Sequence, residues 1–202
     1  FILAPGTSQY DVRLQYQSYD VSSLLRQGKN EIVVTIGDGW WRGDTGYGGE
    51  RNSFGTDLGL LCQLEIDKKT VLVSDGSWMA SQTGPLGHND LMQGEQYDAR
   101  KEDICEWHPV TERKIGYGNL VCSNSFDVVE KEHFTGKRID TPNGGLVIDF
   151  GQNIAGYTQL RLYAHEGQRI TIYHGECLDQ HGNFTRENFQ APCHRVEQCV
   201  EY

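Results

Sequence analysis

The chain has 202 residues, with 28 acidic side chains against 18 basic ones and a net charge of −10. Its 37% hydrophobic residues and 24 glycines together make up about half of the chain, inside the globular range of roughly 45–50%, which excludes intrinsic disorder. The acidic balance, with no basic cluster, opposes phosphate backbones and anionic bilayers, so neither nucleic acid nor a membrane is expected as a partner.

The longest apolar runs, such as residues 58–64, fall far short of the roughly 20 residues of a membrane span. The length suits one large β-type domain or two small ones. The amino end carries no basic-then-apolar leader and starts as if inside a longer protein, so a fragment is expected. Six cysteines, at 62, 105, 122, 177, 193 and 199, contain no CxxC spacing. Free buried thiols are the leading expectation, with one or two disulfides, or a metal site from His174, Cys177, Cys193 and His194, as alternatives.

Alternation at period two dominates, and helical periodicity is nearly absent. Val12, Leu14 and Tyr16 alternate with Arg13, Gln15 and Gln17, predicting a strand with one wet face. Residues 20–28 predict one or two turns of helix, capped by Asp20 or Ser22 and stopped at Gly28. The β-branched run 31–36 predicts a strand, and the glycine-punctuated residues 37–55 predict a long loop of the kind that carries function. Residues 58–66 predict a strand, 67–70 a turn, and 71–73 the returning arm of a hairpin. Turns follow at 74–78 and at Gly84-Pro85. The charged stretch 101–113 suggests a boundary, separating residues 1–112 from 113–202. Beyond it, residues 146–150, 157–164, 169–175 and 196–202 predict strands joined by glycine-rich or polar turns. The class expected is mainly β, with antiparallel β-sandwich, jelly-roll-like modules and little helix.

Glycosidic hydrolysis needs two carboxylates held across a bond, one protonated and one ionised. Nothing in the spacing pairs any two: Glu95 and Asp98 stand three apart and would face opposite ways on a strand. GxSxG and GxxxxGK[ST] are both missing, which opposes a serine hydrolase elbow and a phosphate loop. Asn183-Phe184-Thr185 is a formal glycosylation triplet, common by chance. No residue is singled out as catalytic. The aromatic distribution says more. Trp40 and Trp41 open the glycine-rich loop among Asp38, Arg42 and Asp44, with Tyr47 following. Flat aromatic faces rimmed by carboxylates, amides and arginine suit sugars. The competing expectation is that the tryptophans are structural, with at most one in the core because neighbouring strand residues point opposite ways.

Three strings resemble one known family: GDGWWRG at residues 37–43, GEQYDAR at 94–100 and DFGQNIAG at 149–156. In this order they resemble the non-catalytic β-sandwich modules of bacterial α-L-rhamnosidases, and the likeness covers nearly the whole chain. It implies a parent hydrolase that removes terminal α-L-rhamnose from plant glycosides or pectic oligosaccharides by inversion. It places the acidic catalytic residues in an (α/α)6 barrel that follows the matched region, so the barrel is the expected partner, together with a rhamnose-containing glycan. It implies Asp38, Trp40, Trp41, Arg42, Asp98 and Arg100 as sugar-binding candidates, with a stand-alone carbohydrate-binding module as the alternative function. In some relatives calcium mediates rhamnose binding, and the candidate ligand here is Asp11, followed by Val12 and not by a second oxygen donor. Asp149 and Asn153 are expected to stabilise a tight turn, and Glu176 to face the catalytic domain.

Overall fold

The computed structural model describes residues 6–46, 48–114, 116, 118–124, 126, 128–189 and 199–201. The chain forms two compact units, Phe1–Val128 and Val129–Tyr202. Six of the seven strand pairs among the described residues are antiparallel, and the longest helix is a single α-turn. Mainly β character is thus what the period-two alternation produces.

In the first unit, β1 (Leu14–Tyr16) pairs in parallel with β8 (Leu120–Cys122), Leu14 opposite Leu120. The one-turn helix α1 (Gly39–Arg42) follows. Next comes the hairpin of β2 (Gln63–Ile66) and β3 (Lys69–Val73), with half-buried Leu64 opposite half-buried Leu72. Its turn is tighter than the sequence suggests, because Lys69 and Thr70 already pair across the hairpin. β4 (Met79–Ala80) pairs with β7 (His108–Pro109), and β5 (Leu86–Asp90) forms a hairpin with β6 (Gly94–Tyr97). The β4–β7 pair builds part of the charged stretch 101–113 into this unit, and the division between units falls after residue 128.

The second unit holds the hairpin of β9 (Lys137–Asp140) and β10 (Leu146–Asp149), then β11 (Thr171–Tyr173), paired with β14 (Cys199–Glu201). Between these last two, β12 (Cys177–Leu178) pairs with β13 (Phe184–Thr185). The β9–β10 turn closes on buried Thr141, whose hydroxyl donates to the Gly145 carbonyl at 3.0 Å. Residues 196–198 and 202 of the last expected strand lie outside the described residues, as do Tyr47, Cys193 and His194.

Several expected elements take another form. Residues 20–28 fold as turns: Leu25 N–H donates to the Val21 carbonyl at 3.2 Å, Asp20 caps the Ser22 N–H at 2.9 Å, and Gly28 reverses the chain at φ +98°. One such bond is too little to nucleate a helix. Residues 31–36 and 157–164 enter no strand pairing among the described residues, and Val33 and Leu160 stand 68% and 54% exposed. The β-branched residues of 31–36 and the aromatic and aliphatic ones of 157–164 favour an extended chain, but a strand also needs a neighbouring backbone. The predicted long loop holds α1 and a small bridge between Thr45 and Glu50. Among the described cysteines, Cys62, Cys105 and Cys199 are half-buried while Cys122 and Cys177 are exposed, and all five are free thiols. The expectation of buried thiols is thus met only in part.

A carboxylate and arginine cluster beside a tryptophan

No large apolar side chain among the described residues is fully buried; the deepest side chains are polar, and three of them are Asp38, Asp44 and Asp90. A buried carboxylate is costly unless paired and hydrogen-bonded. Each of the three is both. Asp38 begins α1 and accepts from Arg42 one turn later, with Nε at 2.7 Å from Oδ1. Asp44 lies just after the helix and accepts from Gln93 Nε2 at 2.5 Å. Asp90 ends β5. Its Oδ1 accepts the N–H groups of Met92 and Gln93 at 2.8 and 2.9 Å, closing the hairpin turn, and its Oδ2 accepts the Asp44 N–H at 2.9 Å.

Arg51 joins the three. Its Nη2 donates to Asp38 Oδ2 at 2.5 Å, and its Nη1 to Asp90 Oδ2 at 2.8 Å and Asp44 Oδ1 at 3.3 Å. The fork of the guanidinium suits this branching contact, which a lysine ammonium could not reproduce. Burial pushes the Asp38 carboxyl up, but hydrogen bonds from Arg42 and Arg51 outweigh it and hold Asp38 below the usual carboxylate range. Burial likewise opposes ionisation of Asp90, and the N–H groups of Asp44, Gln93 and Met92 with the Arg51 charge overcome it. The hydrogen bond to Asp38 is the main cause that raises the Arg51 pKa. Three carboxylates against two guanidiniums leave the cluster one negative charge. Gly43 is required here, since a Cβ would lie 2.4 Å from the Gly39 carbonyl oxygen and 2.8 Å from Asp90 Oδ2.

Trp41 packs on the same helix turn against Tyr10 and Phe54, at 5.6 and 6.1 Å between ring centroids, and its indole N–H donates to the Asp57 carbonyl at 3.1 Å. Trp40 is half-buried and enters no ring stack or side-chain hydrogen bond among the described residues. The two rings diverge as neighbours on a helical turn do, by about 100°, and not as strand neighbours. A recess of about 140 Å³ opens between α1 and β5, lined by Ile36, Gly37, Asp38, Arg42 and the β5 residues Leu86 to Asn89, and neither tryptophan lines it. A larger depression of about 380 Å³ runs along β3 under Trp78, but its lining carboxylate, Asp75, is engaged by Ser77 Oγ at 2.5 Å and Ser77 N–H at 2.9 Å.

The sequence-predicted site residues therefore separate. Asp38, Trp40, Trp41 and Arg42 stand together on α1. Asp98 and Arg100 sit at the other end of the β5–β6 hairpin, where Asp98 caps a 3-10 turn and takes Arg100 Nε at 2.8 Å. That hydrogen bond is the main cause that brings the Asp98 pKa down to about 2. Asp11 is exposed, in a turn closed by the Val12 and Arg13 N–H groups on the Gln9 carbonyl at 2.9 and 2.7 Å. Calcium takes six to eight oxygen ligands. Among the described residues, however, no group of three or more His, Cys, Asp or Glu side chains is arranged to hold a metal ion, and Arg51 fills the place where carboxylates converge. Sequence reasoning missed Arg51, Asp90 and Gln93. The one available signal was a lone arginine in a glycine-rich loop, which points to no partner. In the second unit, Asp149 accepts the Gly151 N–H at 2.8 Å, the turn role expected of it. Asn153 does otherwise: it donates to Glu176 Oε1 at 3.1 Å, and Asn188 holds the other Glu176 oxygen at 2.9 Å.

Comparison with known proteins covers both units. Residues 1–131 match the α-L-rhamnosidase N-terminal domain, and residues 139–200 the bacterial α-L-rhamnosidase concanavalin-like domain, a β-sandwich. An α-L-rhamnosidase of Streptomyces avermitilis is 31% identical over 94% of this chain, which covers 20% of that protein. α-L-Rhamnosidases of Formosa agariphila and an Alteromonas species are each 28% identical over 94% of the chain, covering 22% of theirs. The chain thus spans about a fifth of the length of the curated relatives it matches. No solved structure matches it. With the GDGWWRG turn built as α1, the chain belongs to the bacterial α-L-rhamnosidase family, as its N-terminal domain followed by its concanavalin-like domain.

Proposed function

We propose that this chain is a non-catalytic, accessory part of an α-L-rhamnosidase that releases terminal α-L-rhamnose from plant glycosides or pectic oligosaccharides. The observation that carries this reading is the state of its converging carboxylates. An inverting glycosidase needs one carboxyl kept protonated as general acid and a second, ionised one across the scissile bond. Asp38 and Asp90 are held below the usual carboxylate range and tied to Arg51, the opposite of a proton donor. Asp98, at about 2, is bound to Arg100. The relatives' far greater length leaves room for a catalytic domain elsewhere in the parent polypeptide. The purified 202-residue chain, offered an aryl α-L-rhamnoside, is expected to release no phenol above the buffer rate. Turnover that disappears in Asp38→Asn or Asp90→Asn would overturn the proposal.

A second reading, a sugar-binding module, is favoured by two features of one segment: the half-buried Trp40 ring, which enters no ring stack among the described residues, and the recess lined by its chain neighbours Asp38 and Arg42 with Asn89. An apolar face next to directional acceptors and donors is suited to a sugar ring. Calorimetric titration with L-rhamnose, with and without calcium, separates the two. The accessory reading expects no heat at millimolar sugar, and saturable heat lost in Trp40→Ala would establish the module.

A further inference from the structure

The segment 48–57 is fastened to the rest of its unit at two points. One is Arg51, seated on Asp38 and Asp44, which flank α1, and on Asp90 at the end of β5. The other is the indole of Trp41, which meets Phe54 and takes the Asp57 carbonyl, and which Gly55 approaches so closely that a Cβ would lie 2.8 Å from Nε1. Its backbone bonds are few: the Thr45–Glu50 pair, Gly49 N–H to the Gly46 carbonyl, Asn52 N–H to the Arg42 carbonyl and Phe54 N–H to the Trp41 carbonyl. The segment thus covers an indole and three aspartates with little backbone pairing of its own.

We propose that residues 48–57 form a strap whose closed state depends on Arg51, the guanidinium serving as an internal cation for Asp38, Asp44 and Asp90. Without that charge the three carboxylates repel one another and the strap is released. Closed, the strap keeps Trp41 and the aspartates from solvent and from any ligand; released, it presents a flat ring beside three acceptors. The device itself does not depend on which ligand the unit takes.

Hydrogen exchange on the 202-residue chain tests it without any ligand. In Arg51→Met, the amides of Thr45, Glu50, Asn52 and Phe54 are expected to exchange at least about tenfold faster than in the parent chain, while those of the β2–β3 hairpin keep their protection. Arg51→Lys is expected to restore only part of it, lacking the fork. Unchanged strap exchange in Arg51→Met overturns the proposal, as does an equal loss in the β2–β3 hairpin, which means general unfolding. An Arg51→Lys strap that exchanges as fast as that of Arg51→Met overturns the internal-cation role. Should Arg51→Met fail to fold, Asp44→Asn removes one contact of the same cluster. It is expected to speed the strap amides about two- to fivefold, and no change would likewise overturn the proposal.

Discussion

Arg51 makes ionic contact with three aspartates while its side chain keeps 36% of its surface in solvent, whereas Asp90 is fully enclosed. Removing one partner of a buried pair costs about 3–5 kcal/mol. Solvent around the guanidinium screens part of that, so Arg51→Met is expected to lower unfolding stability by about 2 kcal/mol. Arg100→Met, at an exposed pair, should leave the urea midpoint where it is. Urea titrations of both variants check the contrast. Proton linkage gives a second expectation. Asp38 and Asp90 have lower pKa values folded than unfolded, so their contribution is complete above the unfolded value and is lost as the pH falls through the folded one. The urea midpoint should be flat from about pH 7 to about pH 5 and drop below about pH 4, and Asp90→Asn should flatten that drop. The two tryptophans differ as well. Trp41→Ala removes two ring contacts and a hydrogen bond and is expected to cost about 2–3 kcal/mol, less than a fully buried aromatic. Trp40→Ala should cost under about 1 kcal/mol, and equal losses by urea titration would contradict the assigned packing.

At the scale of elements, the β2–β3 hairpin shows how local chemistry sets a turn. Asp67 and Lys68 both adopt positive φ, +51° and +62°, as the two central residues of a type I′ turn must. Lysine carries a Cβ penalty there that glycine lacks, so Lys68→Gly is expected to raise stability by about 0.5–1 kcal/mol, measured by thermal unfolding. The absence of an Asn-Gly or Asp-Gly pair is also why the sequence suggested a looser turn. Residues 31–36 and 157–164 show the converse. Their composition reads clearly as strand, yet pairing requires a partner backbone that composition does not name. The segment 20–28 had its cap and its stop in the sequence, and both function, but the run between them is too short to sustain a helix.

At the scale of the whole molecule, the described residues bury carboxylates and leave apolar side chains such as Val33, Leu24 and Val12 about 68–76% exposed. Exposed apolar surface on this scale marks sites that another surface covers. The chain on its own is expected to bind a hydrophobic dye such as anilinonaphthalene sulfonate at neutral pH with a blue-shifted emission. The same residues within a full-length parent should bind less, and a silent isolated chain would show the surface is covered already. No helix among the described residues is long and apolar enough to cross a membrane.

The amino-acid sequence by itself determined the β-rich class, through period-two alternation, and the family, through the three strings at residues 37–43, 94–100 and 149–156. It placed Asp38 four residues before Arg42 and Asp98 two before Arg100, but the turns that join each pair, α1 and the 3-10 turn capped by Asp98, came with the structure, since 37–55 reads as a loop in the sequence. Only the tertiary structure brought Asp90 to Arg51 across 39 residues, Asp44 to Gln93 across 49, and Asn153 to Glu176 across 23. Alternation and caps act along the chain and leave a period to read. Charge acts through space, and nothing in the order of residues records which loop will fold back to bring a cation to a buried carboxylate.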